Sequence, residues 1–336
     1  MLQRFMICAL FIGLHTSSYA SSSNTTTSQR KKPKRPFSEM SLNQTLDIEE
    51  EMRTEQAISH PLLKQRKTHD YNPTRVRGIY SSSQDTYAVS RSKIEDFIKC
   101  QACFYIDRKL GTGRPAGFPF SLNIAVDNNM KNEFDEHREN KTEHPYCTAY
   151  DLQAQKENRL LINAVPFQHP KMDEWRNSRT QGLRYKVPGT NIEFHGGVDD
   201  IWQNRITKEL YVVDYKATSK KGAVSLDAPW QDSYKRQMAM YQYLLRKNLE
   251  KDGYKVSNTG FFVYSNAKAD KDHFEDQLNF ETPILAYEGD DSWVEPAIVH
   301  AYQCLQAHTI PASSDYCEQC LYYNQRVKLA EQHNGK

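Results

Sequence analysis

Asp214 and Lys216 stand two positions apart in the run Val212-Val213-Asp214-Tyr215-Lys216, and Asp199 closes the earlier run Gly196-Gly197-Val198-Asp199. On an extended strand, side chains at i and i+2 share a face. Asp214 and Lys216 therefore point one way, and Val213 and Tyr215 the other. If the two runs pair, two carboxylates and one ammonium gather at the end of a strand pair. Two carboxylates can hold Mg²⁺ or Mn²⁺ through hard oxygen ligands. Such a metal polarises a phosphoryl oxygen and generates hydroxide from water. A neighbouring lysine can orient or deprotonate the attacking water, or stabilise the added negative charge of the transition state. This equipment suits phosphodiester hydrolysis. A single Asp-x-Lys is also what an ordinary surface ion pair looks like. Two further features argue for a site: Gln237 and Tyr241, at i and i+4 on one helical face, and the two glycines beside Asp199, which allow close approach of a backbone or a ligand. Asp200 points to the opposite face and reads as structural; His195 faces away from Asp199 and reads as non-catalytic.

The elements that must position these residues follow from the pattern. Residues 192–202 and 209–217 read as strands joined by a polar turn over 203–208, an antiparallel hairpin. A long amphipathic helix covers 230–248, strands cover 259–265 and 280–287, and a helix covers 293–307. Upstream, Ser92 and Glu95 have the spacing of a capping box. A helix is expected over 93–108, a Gly/Pro-rich loop over 111–119, and helices over 122–137 and 153–161. The order implies an α/β fold, a mixed central β-sheet flanked by helices.

The 336 residues allow one large domain or two small ones. Twenty Tyr, 14 Phe and 4 Trp require a buried core, which excludes a wholly disordered chain. Lys+Arg 44 against Asp+Glu 42 gives a net charge of +2. That excludes a whole-chain electrostatic grip on nucleic acid but leaves room for a local basic groove. No apolar run reaches the ~18–20 residues of a membrane span, which excludes a polytopic membrane protein. Residues 1–20 read as a secretory leader: Arg4, an apolar stretch over 5–14, then Ser18-Tyr19-Ala20. A misassigned start is the alternative. Residues 21–86 read as a disordered linker with the basic run Arg30-Lys31-Lys32-Pro33-Lys34-Arg35 and a transient helix over 42–56. The folded domain is expected over 87–325 and a tail over 326–336.

Seven cysteines are an odd number for a fully paired disulfide framework. Cys100/Cys103 and Cys317/Cys320 form two C-x-x-C pairs bracketing the domain. Together they can bind a structural Zn²⁺ or a [4Fe–4S] cluster; unrelated thiols or two local disulfides are the alternatives. Cys8 lies in the leader, and Cys147 and Cys304 read as isolated. Thiolate ligation fits a reducing, cytoplasmic compartment, whereas the leader points to export, periplasmic or secreted.

In their order and spacing, Gly196–Asp199, Asp214–Lys216 and Gln237–Tyr241 resemble the motifs of the PD-(D/E)XK nuclease superfamily, in particular its RecB-like branch. The opening Ser90-Arg91-Ser92 to Cys100 and the closing Cys317-Glu318-Gln319-Cys320 are similar as well. The resemblance runs over about residues 89–323. It implies a metal-dependent deoxyribonuclease that leaves a 5′-phosphate. Asp199 and Asp214 would bind Mg²⁺ or Mn²⁺ with the Tyr215 carbonyl as third ligand, Lys216 would be the catalytic lysine, and Gln237 and Tyr241 would support the site or touch substrate. The branch often adds a His from an early helix; here Asp127 stands at the matching place. The branch often clamps the domain ends with an Fe–S cluster on one early and three late Cys, and this chain has two and two. DNA, single- or double-stranded, is the expected partner. A separate helicase or recombination subunit is also expected, since there is no P-loop pattern, and so is a role in DNA repair. A non-catalytic nucleic-acid-binding module and an exported interaction protein on the same fold are the rivals. Arg184, Lys186, Lys220, Lys221, Lys235 and Arg236 could bind phosphates or be solvated surface. Trp230 and Tyr234 could stack on a base, with core packing the preferred reading.

Overall fold

The computed structural model describes residues 75–334 except 76, 116, 118, 155–162, 270–272 and 274. The expected leader, the basic run, the helix over 42–56 and Cys8 lie outside the described residues, as do most of the linker and residues 155–161 of the helix expected over 153–161.

Val212, Val213, Asp214 and Tyr215 of β6 (Leu210–Thr218) are all buried, because helices cover both faces of this strand. It sits at the centre of a six-stranded mixed sheet, beside β5 (Asp200–Asn204) and β7 (Thr259–Ala267), with β2 (Ala164–Pro166) beyond β5. Two short strands, β8 (Phe280–Glu281) and β9 (Ile284–Glu288), both pair with β7. β6 and β7 run parallel, linked through α6 (Asp232–Leu249); the other pairs are antiparallel. One face packs against α6, α7 (Val294–Gln306) and α1 (Arg91–Lys99) through a core that includes Val212, Phe262, Met238 and Ile298. The other face packs Val213, Tyr215 and Phe261 against Met130 and Phe134 of α3 (Ser121–Asn140) and Cys147 of α4 (Pro145–Ala154). A second, three-stranded sheet has the order β1 (Tyr87–Ser90), β4 (Ile192–Gly196), β3 (Leu183–Lys186). The fold is α/β, a mixed sheet flanked by helices. No helix among the described residues is long and apolar enough to cross a membrane.

Several expectations need correction. The strand expected over 192–202 is two strands in two sheets. They are separated at Gly197, where an added Cβ would lie 2.8 Å from the Arg176 carbonyl oxygen and 2.9 Å from the Ser178 amide nitrogen. The backbone after α5 (Met172–Arg176) presses there and turns the chain. The helix expected over 93–108 breaks at Cys100, whose extended backbone (φ −163°, ψ 107°) separates α1 from α2 (Gln101–Arg108). The Ser92/Glu95 capping box does not form: Ser90 is the N-cap and makes no side-chain cap bond, while Glu95 is buried against Arg236. Tyr80, assigned above to the linker, packs edge-on against Tyr87 in the core. Residues 326–334 of the expected tail lie in α8 (Glu318–Asn334), none of whose side chains is fully buried.

His144 gives the fold a pH dependence. Its ring stacks on Phe134 with centroids 4.0 Å apart. Nδ1 accepts the Tyr146 amide (3.1 Å), so Nε2 carries the proton and donates to Glu133 (2.9 Å). Burial lowers its pKa below 6.5; Glu133 opposes this and His137 adds to it. A depressed folded value means that stability is complete above the unfolded value near 6.5 and is lost as pH falls through the folded one. The stability gap between the chain and a His144→Gln variant should therefore narrow as pH drops from 8 toward 5, read from denaturant midpoints. A constant gap would refute this.

Candidate active site

The β5–β6 register brings the two aspartates together. Asp200 lies opposite Val213, so the next position places Asp199 beside Asp214. Asp199 sits in the bend just before β5, and its Oδ2 accepts the Tyr215 amide at 3.1 Å. Asp214 is fully buried on the α6 side. Its Oδ1 accepts Gln237 Nε2 at 2.7 Å, and the same Nε2 lies 3.4 Å from the Tyr241 hydroxyl. Asp214 Oδ2 is paired with the Lys216 ammonium. Lys216 Nζ in turn lies 4.7 Å over the Tyr234 ring. The expected Asp199, Asp214, Lys216, Gln237 and Tyr241 are thus one connected group. Asp127 joins it from α3 through Lys131, whose Nζ lies 2.7 Å from Asp127 Oδ2 and 3.2 Å from Asp199 Oδ1.

Burial raises the Asp214 carboxyl to about 6; Lys216 pulls it back and the charge of Asp199 adds to the rise. Burial also works against the Lys216 ammonium, but Asp214 and Asp199 more than compensate, so its pKa is raised and the proton stays on Nζ. Asp127 is raised by burial and by Asp199. Placed this way, Asp199, Asp127 and the fully buried Asp214 supply hard oxygen donors of the type a divalent metal takes. Among the described residues, though, the carboxylates are not gathered into one tight set, because the ammonium groups of Lys131 and Lys216 stand among them.

A buried network holds this group from behind. Asp200 Oδ1 accepts Arg138 at 2.5 Å and Arg176 at 3.2 Å, and its Oδ2 accepts the Tyr215 hydroxyl at 2.7 Å. Arg176 also donates to the Asp199 carbonyl oxygen at 3.0 Å and grips both Asp135 oxygens. Asp200 thus has the structural role expected of it, and it fixes the backbone on both sides of the site.

Sequence reading missed Lys131 and Arg91. Lys131 was visible as the i+4 partner of Asp127 on one helix. The Arg91 guanidinium lies 5.8 Å over the Tyr241 ring, and no sequence pattern singles it out. Of the basic residues singled out, Arg184 pairs with Glu193, Arg236 with Glu95 and Lys235 with Asp232. Trp230 is 59% exposed, which overturns core packing: it lies in the single 3₁₀ turn ahead of α6 rather than on the helix's buried face. A cavity of about 540 Å³ lined by Tyr150, Val224, Asn266 and Ile284, among others, contains none of the site residues.

The four C-x-x-C thiols converge, although Cys100 and Cys320 are 220 positions apart. All four sulfurs lie within 4.8 Å of one another. Sγ–Sγ separations are 3.8 Å for Cys100–Cys320, 3.6 Å for Cys103–Cys317 and 3.4 Å for Cys103–Cys320. Burial pushes the Cys100 thiol up. Hydrogen bonds from Cys103 and Ser314 backbone groups and from neighbouring thiols outweigh it and bring the value to about 7. Cys147 is buried elsewhere, and its thiol is pushed well up by burial, as expected of an isolated structural cysteine.

A family model described as the PD-(D/E)XK nuclease superfamily matches residues 88–325. Among solved structures, that of a provisionally assigned exonuclease from Eubacterium rectale is 15% identical, covers 72% of this chain and 90% of its own, and superposes with a TM-score of 0.34. No curated protein matches the chain.

Proposed function

Because the chain belongs to the PD-(D/E)XK nuclease superfamily, whose model spans residues 88–325, we propose that it is a metal-dependent deoxyribonuclease. The observation that carries this reading is the convergence of Asp199, Asp214 and Lys216, with Gln237 fixing the Asp214 carboxylate. Oxygens of Asp199 and Asp214 and the Tyr215 carbonyl would hold Mg²⁺ or Mn²⁺, with Asp127 at its approach. Bound there, the metal would polarise the phosphoryl group and ease deprotonation of water. Lys216 keeps its proton, so it serves as a fixed positive charge that orients water and stabilises the developing phosphorane charge rather than as a resting-state base. Tyr241 and Gln237 hold Asp214 in register.

The test is cleavage of labelled DNA by the full chain with Mn²⁺ or Mg²⁺. Cleavage should disappear on chelation and fall at least about a hundredfold in Asp199→Asn. Metal-independent cleavage, or a fully active Asp199→Asn, would sink the reading.

The thiol cluster supports a single tetrahedral zinc. Metal–sulfur bonds of about 2.3 Å set the corners of such a tetrahedron about 3.8 Å apart, close to the observed spacing, whereas a cubane must fit irons and sulfides between its thiolates. Anaerobically purified chain should be colourless and carry about one zinc equivalent by elemental analysis, and Cys317→Ser should lose it. A brown protein containing iron would reverse the assignment.

A further inference from the structure

Trp230, Tyr234, Gln237 and Tyr241 are spaced four, three and four residues apart, so they form one stripe running into and along α6. At ~1.5 Å per residue the stripe is about 16 Å long. Its middle faces the catalytic strand: Tyr234 lies beneath Lys216, and Gln237 holds Asp214. Its Trp230 end is unused by the chemistry proposed above, while buried Tyr241 at the other end steadies Gln237. At one end Arg91, half-buried, lies over Tyr241 and makes no hydrogen bond or ion pair among the described residues. At the other, Trp230 stands edge-on against Tyr234, centroids 5.4 Å apart and planes at 86°, and the residue is 59% exposed.

We propose that the open Trp230 end of this stripe and Arg91 together guide a single polynucleotide strand over the site, with a backbone phosphate on Arg91 and an unpaired base stacked on Trp230. The half-buried Arg91 guanidinium acts on Asp214 only at a distance and makes no direct ion pair among the described residues, and its planar fork of donors is matched to phosphate. A largely exposed Trp230 propped edge-on against Tyr234 offers a stacking platform that any base accepts. Stacking requires a base whose own faces are free, which an intact duplex does not provide away from its ends. Two ring contacts, of 5.4 and 4.7 Å, separate Trp230 from Lys216, so the stacked base belongs to a nucleotide beside the scissile phosphate. The strand therefore crosses the carboxylates between its two anchors, and the site favours single strands over duplex.

This rests on the nuclease reading, and binding separates the two. Full chain carrying Lys216→Met is titrated, without divalent metal, into fluorescein-labelled oligothymidylate and into a blunt duplex of equal length, read by anisotropy. The single strand should bind about tenfold tighter or better. Trp230→Ala should weaken it by about five- to a hundredfold, and Trp230→Phe should restore most of the loss. Arg91→Gln should weaken it and flatten the logarithmic salt slope by about one unit. Circular dichroism of each variant guards against unfolding. Equal affinity for duplex and single strand, or Trp230→Ala within twofold of the parent, would overturn the proposal. If that binding pattern holds but the Lys216 chain with metal does not cleave, the strand track stands and the nuclease reading falls. If the Lys216 chain cleaves, and Trp230→Ala cuts single strands at the parental rate, the track falls and the nuclease reading stands.

Discussion

Lys216→Met should lower the single-turnover cleavage rate by about 10²–10⁴-fold and leave the chain folded. The rate loss follows from position. Lys216 Nζ is paired with Asp214, propped on the Tyr234 ring and mostly buried, so its charge acts through a low dielectric and needs no reorganisation during reaction. Methionine keeps the stem, and hence the packing, without the charge. The fold survives for a specific reason. Asp214, already raised to about 6 by burial, can take up a proton when its ammonium partner is gone, so no unpaired charge remains buried. The variant's pH profile should show this: its metal requirement should shift to higher pH, because the metal must displace a proton from Asp214 that the parent has mostly lost. A rate within tenfold of the parent, measured at saturating metal, would remove Lys216 from the reacting centre.

Asp200→Ala should cost about 3–5 kcal/mol of stability, the usual loss when one partner of a buried ion pair is removed and the other stays charged. Here two arginines lose their shared carboxylate, and the Tyr215 hydroxyl loses its acceptor. Arg138 and Arg176 keep Asp135, which limits the damage. For a domain of this size that loss lowers the melting temperature by roughly 6–20 °C. Because Arg176 also holds the Asp199 carbonyl, the surviving folded fraction should bind metal more weakly too. Asp200→Asn, which keeps an acceptor oxygen, should fall between the two. A melting temperature within about 2 °C of the parent for Asp200→Ala would show the network to be dispensable.

These two residues also show what a sequence can reveal. The alternation in Val212-Val213-Asp214-Tyr215-Lys216 fixes which side chains share a face, and the structure keeps that assignment: Asp214 and Lys216 face α6, and Tyr215 faces α3. The i, i+4 spacing of Gln237 and Tyr241 carries over in the same way, because both signals are local backbone geometry. The departures come from distant contacts. The strand over 192–202 divides because backbone near Arg176 and Ser178 presses on Gly197. The helix over 93–108 continues its apolar spacing past Cys100 in sequence, but Cys100 turns into the thiol cluster with a partner more than two hundred positions away. Trp230 was assigned to the core on residue type, and its place in a turn ahead of the helix left it exposed. Arg91 owes its place over Tyr241 to the packing of α1 on α6, which no local spacing encodes.

The thiol clamp also has a consequence for synthesis. Two of its thiols are made first and the other two some two hundred residues later, with Cys100 and Cys320 220 positions apart. At translation rates of about 5–20 residues per second, the first pair waits on the order of ten to forty seconds for the second. Throughout that interval the nascent chain carries an adjacent dithiol without its partner thiols, open to oxidation or to closing on itself. α8 is thus a late latch: synthesis halted before Cys317 leaves a chain that holds all of its proposed catalytic residues and only half of its thiol cluster.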